Sequence, residues 1–155
     1  MKGNERLLES LNERLVDELT AINQYFVHAE MAEDWGYEKL HEAIEERAIQ
    51  EMKHAETLIG RILFLEGKPI VTKLGEIQIG SDVLIQHKND WQAEFDAIRG
   101  YNESIRLAVE VSDNGSREIL ESILRDEEEH IDWLEAQLDQ IEQIGLEHYL
   151  VEQID

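Results

Sequence analysis

Residues 51–54 read Glu-Met-Lys-His and residues 127–130 read Glu-Glu-Glu-His, and these two Glu-x-x-His stretches decide the fold. They begin 76 positions apart, and another glutamate precedes each of them by 33 positions, Glu18 before the first and Glu94 before the second. A repeat of this length, carrying the same polar residues twice, predicts two helical hairpins. Each hairpin would supply half of one polar site.

Apolar residues recur at three- and four-residue steps in four long segments, which predicts four amphipathic helices that close on a shared core. Gly36 and the pair Asn114-Gly115 provide the breaks inside the two hairpins, because glycine and asparagine favour tight turns. The predicted helices cover roughly residues 5–35, 38–65, 82–112 and 115–144.

A long connection joins the second and third predicted helices. It runs from Glu66 to Ser81 and contains the only proline, Pro69. Its ~16 residues extend to ~50 Å, which exceeds the ~40 Å length of a ~27-residue helix. We therefore predict an all-α four-helix bundle with a long crossover between helices two and three. A short fifth helix, Leu146–Ile154, follows Gly145, and residues 1–155 form a single domain.

The amino-acid composition of the chain limits the kinds of partner that it can bind. Acidic residues outnumber basic ones 36 to 14 in 155 residues, for a net charge of −22, which disfavours nucleic acid and anionic membranes and attracts cations. The chain has no cysteine, which excludes disulfides and thiolate metal sites. No segment resembles a signal peptide or a membrane span, so we expect a cytoplasmic protein.

Six polar residues occupy the centres of the apolar helix faces. A carboxylate in such a position costs several kcal/mol unless something compensates it, and we expect no lysine or arginine on these faces. Two metal ions would neutralise the acids. The alternative, a network of protonated acids and histidines that fixes the helix register, leaves too many acids unsatisfied. The predicted ligands are Glu18, Glu51, His54, Glu94, Glu127 and His130.

Carboxylates with one imidazole per ion favour iron or manganese over zinc. Such a pair of ions supports oxidation of Fe(II) by dioxygen or peroxide. Tyr25 and Tyr101 also repeat at the 76-residue offset, two turns after Glu18 and Glu94. Tyr25 is a candidate catalytic residue, as a hydrogen-bond donor or an electron donor. Both tyrosines are equally compatible with an ordinary aromatic role in the core.

Two glutamates plus two Glu-x-x-His motifs resemble the ferritin-like di-iron arrangement, in which the metal site is built inside a helix bundle. The details resemble the bacterioferritin family over the whole chain. The stretches that carry the resemblance are residues 1–3 (Met-Lys-Gly), 18–26 (Glu-Leu-Thr-Ala-Ile-Asn-Gln-Tyr-Phe), 51–55 (Glu-Met-Lys-His-Ala), 61–67 (Arg-Ile-Leu-Phe-Leu-Glu-Gly) and 124–135, which spans the second Glu-x-x-His.

The resemblance implies a hollow 24-subunit shell, built from haem-bridged dimers, that oxidises Fe(II) with O2 or H2O2 and stores ferric mineral. It implies two iron ions per subunit. Glu18 and His54 would hold one ion, Glu94 and His130 the other, and Glu51 and Glu127 would bridge the two. A small ferredoxin-type protein is the implied reductant for iron release.

The family also holds haem b between two subunits, one haem per subunit pair, through a methionine from each, and Met52 matches that position. Met52 is 100° around the helix from Glu51, so its thioether should point away from the metals. The alternative is a methionine that only packs a dimer interface. One departure concerns an extra iron site on the inner surface of some members, where this chain has Glu46 and Gln50. Glutamine is a poor iron ligand, so this site stays an open question.

The sequence therefore predicts a ferroxidase and iron-storage shell. Two alternatives keep the metals and change the chemistry: a di-manganese catalase or a di-iron oxygenase. A third is a haem-bearing electron carrier whose metals are structural. An oxygenase requires a substrate pocket, whereas the apolar faces here are filled by leucine and isoleucine.

Overall fold

The computed structural model describes all 155 residues and contains five helices. This confirms the predicted all-α bundle of four long helices and a short C-terminal one. The fifth helix is three residues shorter than predicted. No helix combines the length and the apolar composition required to cross a membrane. The helices are α1 (Glu5–Asp34), α2 (Glu38–Phe64), α3 (Val83–Glu110), α4 (Asn114–Ile144) and α5 (Leu146–Val151).

Side-chain caps fix three of the helix starts. Asn4, Asp82 and Asp113 each accept a hydrogen bond from a backbone N–H in the first turn of α1, α3 and α4. The break between α3 and α4 thus lies before Asn114, which is already helical, and not at the Asn114-Gly115 pair as predicted. The cap at Asp113 starts α4 early, and Ser112 makes the turn with a φ of 59°. Gly36, with a φ of 83°, makes the turn between α1 and α2.

The crossover between α2 and α3 runs alongside α1 in the same direction. Four backbone N–H groups of the crossover, at Ile70, Gly75, Gln78 and Gly80, donate in order to side chains further and further along α1. The acceptors are Asn12, Thr20, Gln24 and His28. Because the crossover returns the chain to the far end of α1, α3 runs antiparallel to α1. This confirms the predicted long crossover.

A polar layer divides the apolar core in two. One half contains Leu7, Leu11 and Leu15 of α1, and the other contains Ala21, Tyr25, Ala29 and Ala32 of the same helix. Glu18 lies between them. The same division holds on α2, α3 and α4, where the other five predicted ligands lie between residues of the two apolar halves. The bundle therefore brings one polar level of each long helix to the same depth.

Candidate metal centre

The structure brings the six predicted ligands together at this level. All are buried, with exposed fractions between 0% and 7%. Their carboxylate and imidazole atoms form two groups of four, in each of which the candidate ligand atoms lie within 4.8 Å of one another. The groups share Glu51 and Glu127. Glu18 and His54 complete one group, and Glu94 and His130 complete the other.

Both histidines turn Nδ1 toward the carboxylates. His54 Nδ1 lies 2.9 Å from Glu127 Oε1 and 3.3 Å from Glu51 Oε1. His130 Nδ1 lies 3.2 Å from Glu51 Oε1 and 3.3 Å from Glu94 Oε1. Although these distances are short, their geometry is not that of hydrogen bonds, and both Nδ1 atoms are without a hydrogen-bond partner. Both imidazoles therefore turn Nδ1, a nitrogen able to ligate metal, toward the carboxylates of the centre.

Every one of the six side chains has at least one buried atom without a hydrogen-bond partner. Buried polar groups are rarely left in this state, because each costs roughly 1–3 kcal/mol. The polar-network alternative requires these atoms to satisfy one another, and they do not. Cations placed between the oxygens and the imidazole nitrogens would satisfy them, so the donor set fits a pair of metal ions. The seven atoms are Glu18 Oε2, Glu51 Oε1, His54 Nδ1, Glu94 Oε2, Glu127 Oε1, Glu127 Oε2 and His130 Nδ1.

The electrostatics of the centre indicate an unmet need for positive charge. Burial, followed by repulsion from the neighbouring glutamates, raises the pKa of Glu51 and of Glu127 well above the usual range. Burial lowers the pKa of His54, but the nearby carboxylates of Glu127 and Glu18 outweigh it and raise that pKa to about 11.

Two buried tyrosines donate hydrogen bonds to Glu18 and Glu94, the glutamates that each belong to only one of the two ligand groups. The Tyr25 hydroxyl donates to Glu94 Oε1 at 2.6 Å, and the Tyr101 hydroxyl donates to Glu18 Oε1. Each tyrosine thus supports a carboxylate of the opposite hairpin. Burial raises the pKa of both hydroxyls well above 10, so both remain protonated donors. The hydrogen-bonding role considered for Tyr25 is therefore supported by its contact with a candidate ligand, Glu94.

Two arginines are buried beside the centre, contrary to the expectation that the core faces hold no basic residue. Arg47 lies 4.3 Å from the centroid of the Tyr25 ring and donates to Asp90 Oδ2 at 2.6 Å. Arg14 donates to Asp17 Oδ2 at 2.9 Å, in space that Gly100 leaves by lacking a Cβ. Each arginine is paired with its own acid, and of the two only Arg47 contributes to lowering the pKa of a candidate ligand, Glu94.

Sequence reasoning missed the outer partners of the histidines. His54 Nε2 lies 2.7 Å from Asp126 Oδ2, and His130 Nε2 lies 2.5 Å from Gln50 Oε1. Both oxygens are acceptors, so each histidine donates its Nε2–H outward and keeps Nδ1 free for a metal. The 76-residue repeat contains the signal that could have revealed them, because positions 50 and 126 share that offset.

A cavity of about 150 Å³ reaches the centre from the side of α1 and α3. Glu18, Glu51 and Glu127 line its inner part, and the exposed Glu76 and Asp96 line its outer part. A second cavity, of about 220 Å³, lies behind His130. Its lining includes the two residues of the possible inner-surface iron site, the exposed Glu46 and the half-buried Gln50.

Met52 lies on the outer surface of α2, where 46% of the side chain is exposed. Glu51, the preceding residue, is buried, so the thioether points away from the centre as predicted. Ile49 on the same helix is 40% exposed, and Leu19 and Phe26 of α1 are half-buried. This apolar surface and its soft sulfur ligand are compatible with a haem shared with a second subunit.

Comparison with known proteins places the geometry in context. Residues 8–144 match the family model described as a ferritin-like domain. The chain is 41% identical over 149 residues to a bacterioferritin of Brucella melitensis, covering 96% of this chain and 92% of that protein. It is 43% identical over 145 residues to a bacterioferritin of Rhodobacter capsulatus, with 94% and 90% covered. It is 41% identical over 149 residues to a bacterioferritin of Mycobacterium leprae, with 96% and 94% covered.

Proposed function

Since this chain belongs to the bacterioferritin family of ferritin-like proteins, we propose that it stores iron and oxidises Fe(II) to Fe(III) at the buried centre. The observation that carries the proposal is the set of seven buried ligand atoms, on six side chains, that have no partner within the protein. Fe(II) is the substrate, and the ferric product is the stored material.

The reaction needs two ions held close together and an acceptor for two electrons. Oxidation of two Fe(II) releases two electrons, which together with two protons convert O2 to H2O2 or H2O2 to two water molecules. Glu51 and Glu127 would bridge the ions, and each remaining Glu–His pair would complete one position. Tyr25 and Tyr101 would hold the terminal carboxylates in orientation through the hydrogen bonds described above.

The acidic cavity provides a route for Fe(II) into the centre. Its outer residues, Asp17, Glu76 and Asp96, are carboxylates that attract divalent cations, and its inner end contains three of the candidate ligands. The net charge of −22 increases this attraction over the whole molecule. We propose that the ferric product then moves to the interior of a 24-subunit shell and mineralises there.

Met52 is the proposed axial ligand of haem b, paired with the same residue of a second subunit. Its exposure, its apolar neighbours and its thioether support this role. When bound, the haem would carry electrons into the shell for iron release. A small ferredoxin-type protein as the electron source, and a cytoplasmic location, remain predictions from the sequence.

The alternatives have less support. A di-iron oxygenase needs a pocket for its organic substrate, typically 300–1,000 Å³ in volume. The cavity that reaches the centre is about 150 Å³ and is lined largely by polar residues. A di-manganese catalase would use the same ligands, and a haem-bearing electron carrier would use Met52. Neither would accumulate iron beyond its own binding positions.

The test is aerobic addition of Fe(II) to the purified metal-free protein. We expect rapid oxidation and retention of many more irons than the two ligand positions per subunit. Glu18→Ala should abolish the rapid phase while light scattering shows an unchanged assembly. Glu13→Ala, an exposed change on the same helix, is the matched control. Binding of only two ions per subunit, or unchanged kinetics in Glu18→Ala, would refute the proposal.

A further inference from the structure

The 76-residue repeat extends beyond the ligands to the residues behind them. Gln50 and Asp126 are related by this offset, and each accepts a hydrogen bond from the histidine of the opposite hairpin. The two contacts have the same geometry: Nε2–H donates to a side-chain oxygen, and Nδ1 points to the centre. Their chemistry differs, because Asp126 offers a carboxylate whereas Gln50 offers an amide.

This difference changes the histidines as ligands. A carboxylate that accepts from the outer N–H increases electron density on the ring and makes the inner nitrogen a stronger donor to metal. A neutral amide fixes the tautomer and the ring orientation, but its effect on basicity is smaller. The Asp126 side chain is 33% exposed and has no lysine or arginine within ion-pair distance, so His54 is its only ion-pair partner.

The remaining surroundings of the two positions contain the same kinds of residue. Each terminal glutamate receives one tyrosine hydroxyl, and the two bridging glutamates serve both positions. A buried arginine lies near each tyrosine, Arg47 at 4.3 Å from the Tyr25 ring centroid and Arg14 at 6.0 Å from that of Tyr101, and each arginine is paired with an aspartate. The outer partner of the histidine is therefore the clearest chemical difference between the two halves.

We propose that Gln50 and Asp126 make the two metal positions unequal, so that the Glu18–His54 position binds a divalent ion more tightly and fills first. The inference rests on the metal ligation proposed above. Loss of such an outer partner typically weakens metal binding 10- to 100-fold, and Gln50 retains the hydrogen bond, so we expect about a tenfold difference in dissociation constant.

Partial loading with Co²⁺ tests this directly. One Co²⁺ per subunit is added to metal-free crystals, and anomalous scattering gives the occupancy of each position. For a tenfold difference, we expect the Glu18–His54 position to be about three times as occupied if the two sites are independent. The ratio rises to about ten if one ion excludes the other. Equal occupancy in the unmodified protein would overturn the inference.

Two isosteric variants assign the cause. Gln50→Glu should raise occupancy at the Glu94–His130 position until the two are nearly equal, and Asp126→Asn should equalise them by weakening the other position. The combined variant should reverse the preference. Because the unmodified protein gives its own result, the test does not depend on the variants folding.

The outcomes separate this inference from the proposed function. An unequal occupancy that neither variant alters would show that another feature causes the difference and would overturn the roles given to Gln50 and Asp126. Co²⁺ at neither position would refute the metal centre itself, and the inference with it. Equal filling of both positions would leave the centre intact and remove only the inequality.

Discussion

Two adjacent residues of α2 can have the different roles proposed for them because they lie 100° apart around the helix. Glu51 is buried at the centre, whereas the Met52 side chain is 46% exposed on the outer surface of α2. A change at Met52 should therefore leave the centre undisturbed. This separation allows the two proposed functions of the helix, iron oxidation and haem binding, to be tested independently.

Met52→Leu should abolish haem binding and spare Fe(II) oxidation, because leucine preserves the apolar surface but removes the only atom able to ligate iron there. Absorbance of the haem band per subunit measures the first effect, and stopped-flow oxidation measures the second. Met31→Leu, a half-buried change on α1, is the control and should retain haem. Haem retained by Met52→Leu would remove Met52 from its proposed role.

The six candidate ligands were predictable at this scale, and the residues that accept hydrogen bonds from the two histidines were not. Glu18 interrupts an apolar helix face, which is a local pattern that one sequence can reveal. Asp126 lies in the charged run Arg-Asp-Glu-Glu-Glu of residues 125–129 and reads as a surface residue. Only the approach of α2 to α4 shows that it contacts His54. The 76-residue offset pairs positions 50 and 126, but the offset alone does not show that either residue contacts a histidine.

At the scale of elements, one tyrosine attaches α5 to the bundle. The Tyr149 hydroxyl donates to Gln137 Oε1 of α4 at 2.7 Å and lies 3.1 Å from His87 Nε2 of α3. Burial, and then the charge of Arg47, lower the pKa of His87 to about 4. His87 is therefore a neutral donor to Tyr149 at neutral pH.

Because His87 is buried at this attachment, the free energy of unfolding should decrease as the pH is lowered. His87 has a folded pKa of about 4 and an unfolded value near 6.5, so the unfolded chain takes up a proton first as the pH decreases. The free energy of unfolding should fall between pH 6.5 and 4 by up to about 3 kcal/mol per subunit from this group. Above pH 6.5 it contributes no pH dependence. Asp90, His28 and Arg47 are the charged or titratable groups that act on it.

Thermal unfolding of His87→Gln across this pH range measures the effect. The glutamine amide can still donate to Tyr149 but does not titrate, so the melting temperature should fall less steeply than in the unmodified protein. His148→Gln, an exposed change in α5, should retain the original slope. Parallel curves for His87→Gln and the unmodified protein would contradict the assignment.

The start of α4 gives a second test at this scale. Asp113 accepts from the Ser116 N–H and pairs with Arg61 of α2 at 2.8 Å. Asp113→Ala should destabilise each subunit by about 1–2 kcal/mol, because it removes the cap and leaves Arg61 unpaired. Chemical denaturation measures the loss, and Asp139→Ala, an exposed change on the same helix, should have little effect. An equal loss in the two variants would exclude the cap as the cause.

The start of α4 at Asp113 is also an example of a feature that the sequence analysis did not predict correctly. Asn114-Gly115 is a strong turn signal, yet both residues are helical because the cap precedes them. The network of Asp90 with Gln24, His28 and Arg47 was likewise unpredicted. Its members come from three helices and bind the crossover through Gly80, so no single segment reveals it. The spacing of apolar residues along the chain predicted the helices, whereas the polar contacts between the helices are visible only in the structure.

At the scale of the whole molecule, the centre interrupts the apolar core with buried acidic groups, and bound metal ions would compensate the charge of these groups. Four carboxylates divide two apolar clusters and leave buried atoms unpaired. Groups arranged for a ligand often reduce the stability of the unliganded protein. The metal-free bundle should therefore be less stable than its apolar packing alone would allow, and metal binding should raise its melting temperature through its preference for the folded state.

Glu127→Gln separates these two effects. Both carboxylate oxygens of Glu127 are unpaired and repelled by the other glutamates, so a neutral amide should raise the melting temperature of the metal-free protein. The same change removes a bridging ligand, so the increase produced by Co²⁺ in the unmodified protein should be largely lost. Glu128→Gln, at an exposed neighbouring position, should leave both melting temperatures unchanged. A metal-free Glu127→Gln protein less stable than the original would mean that the buried acids already satisfy one another, and the need for cations at the centre would disappear.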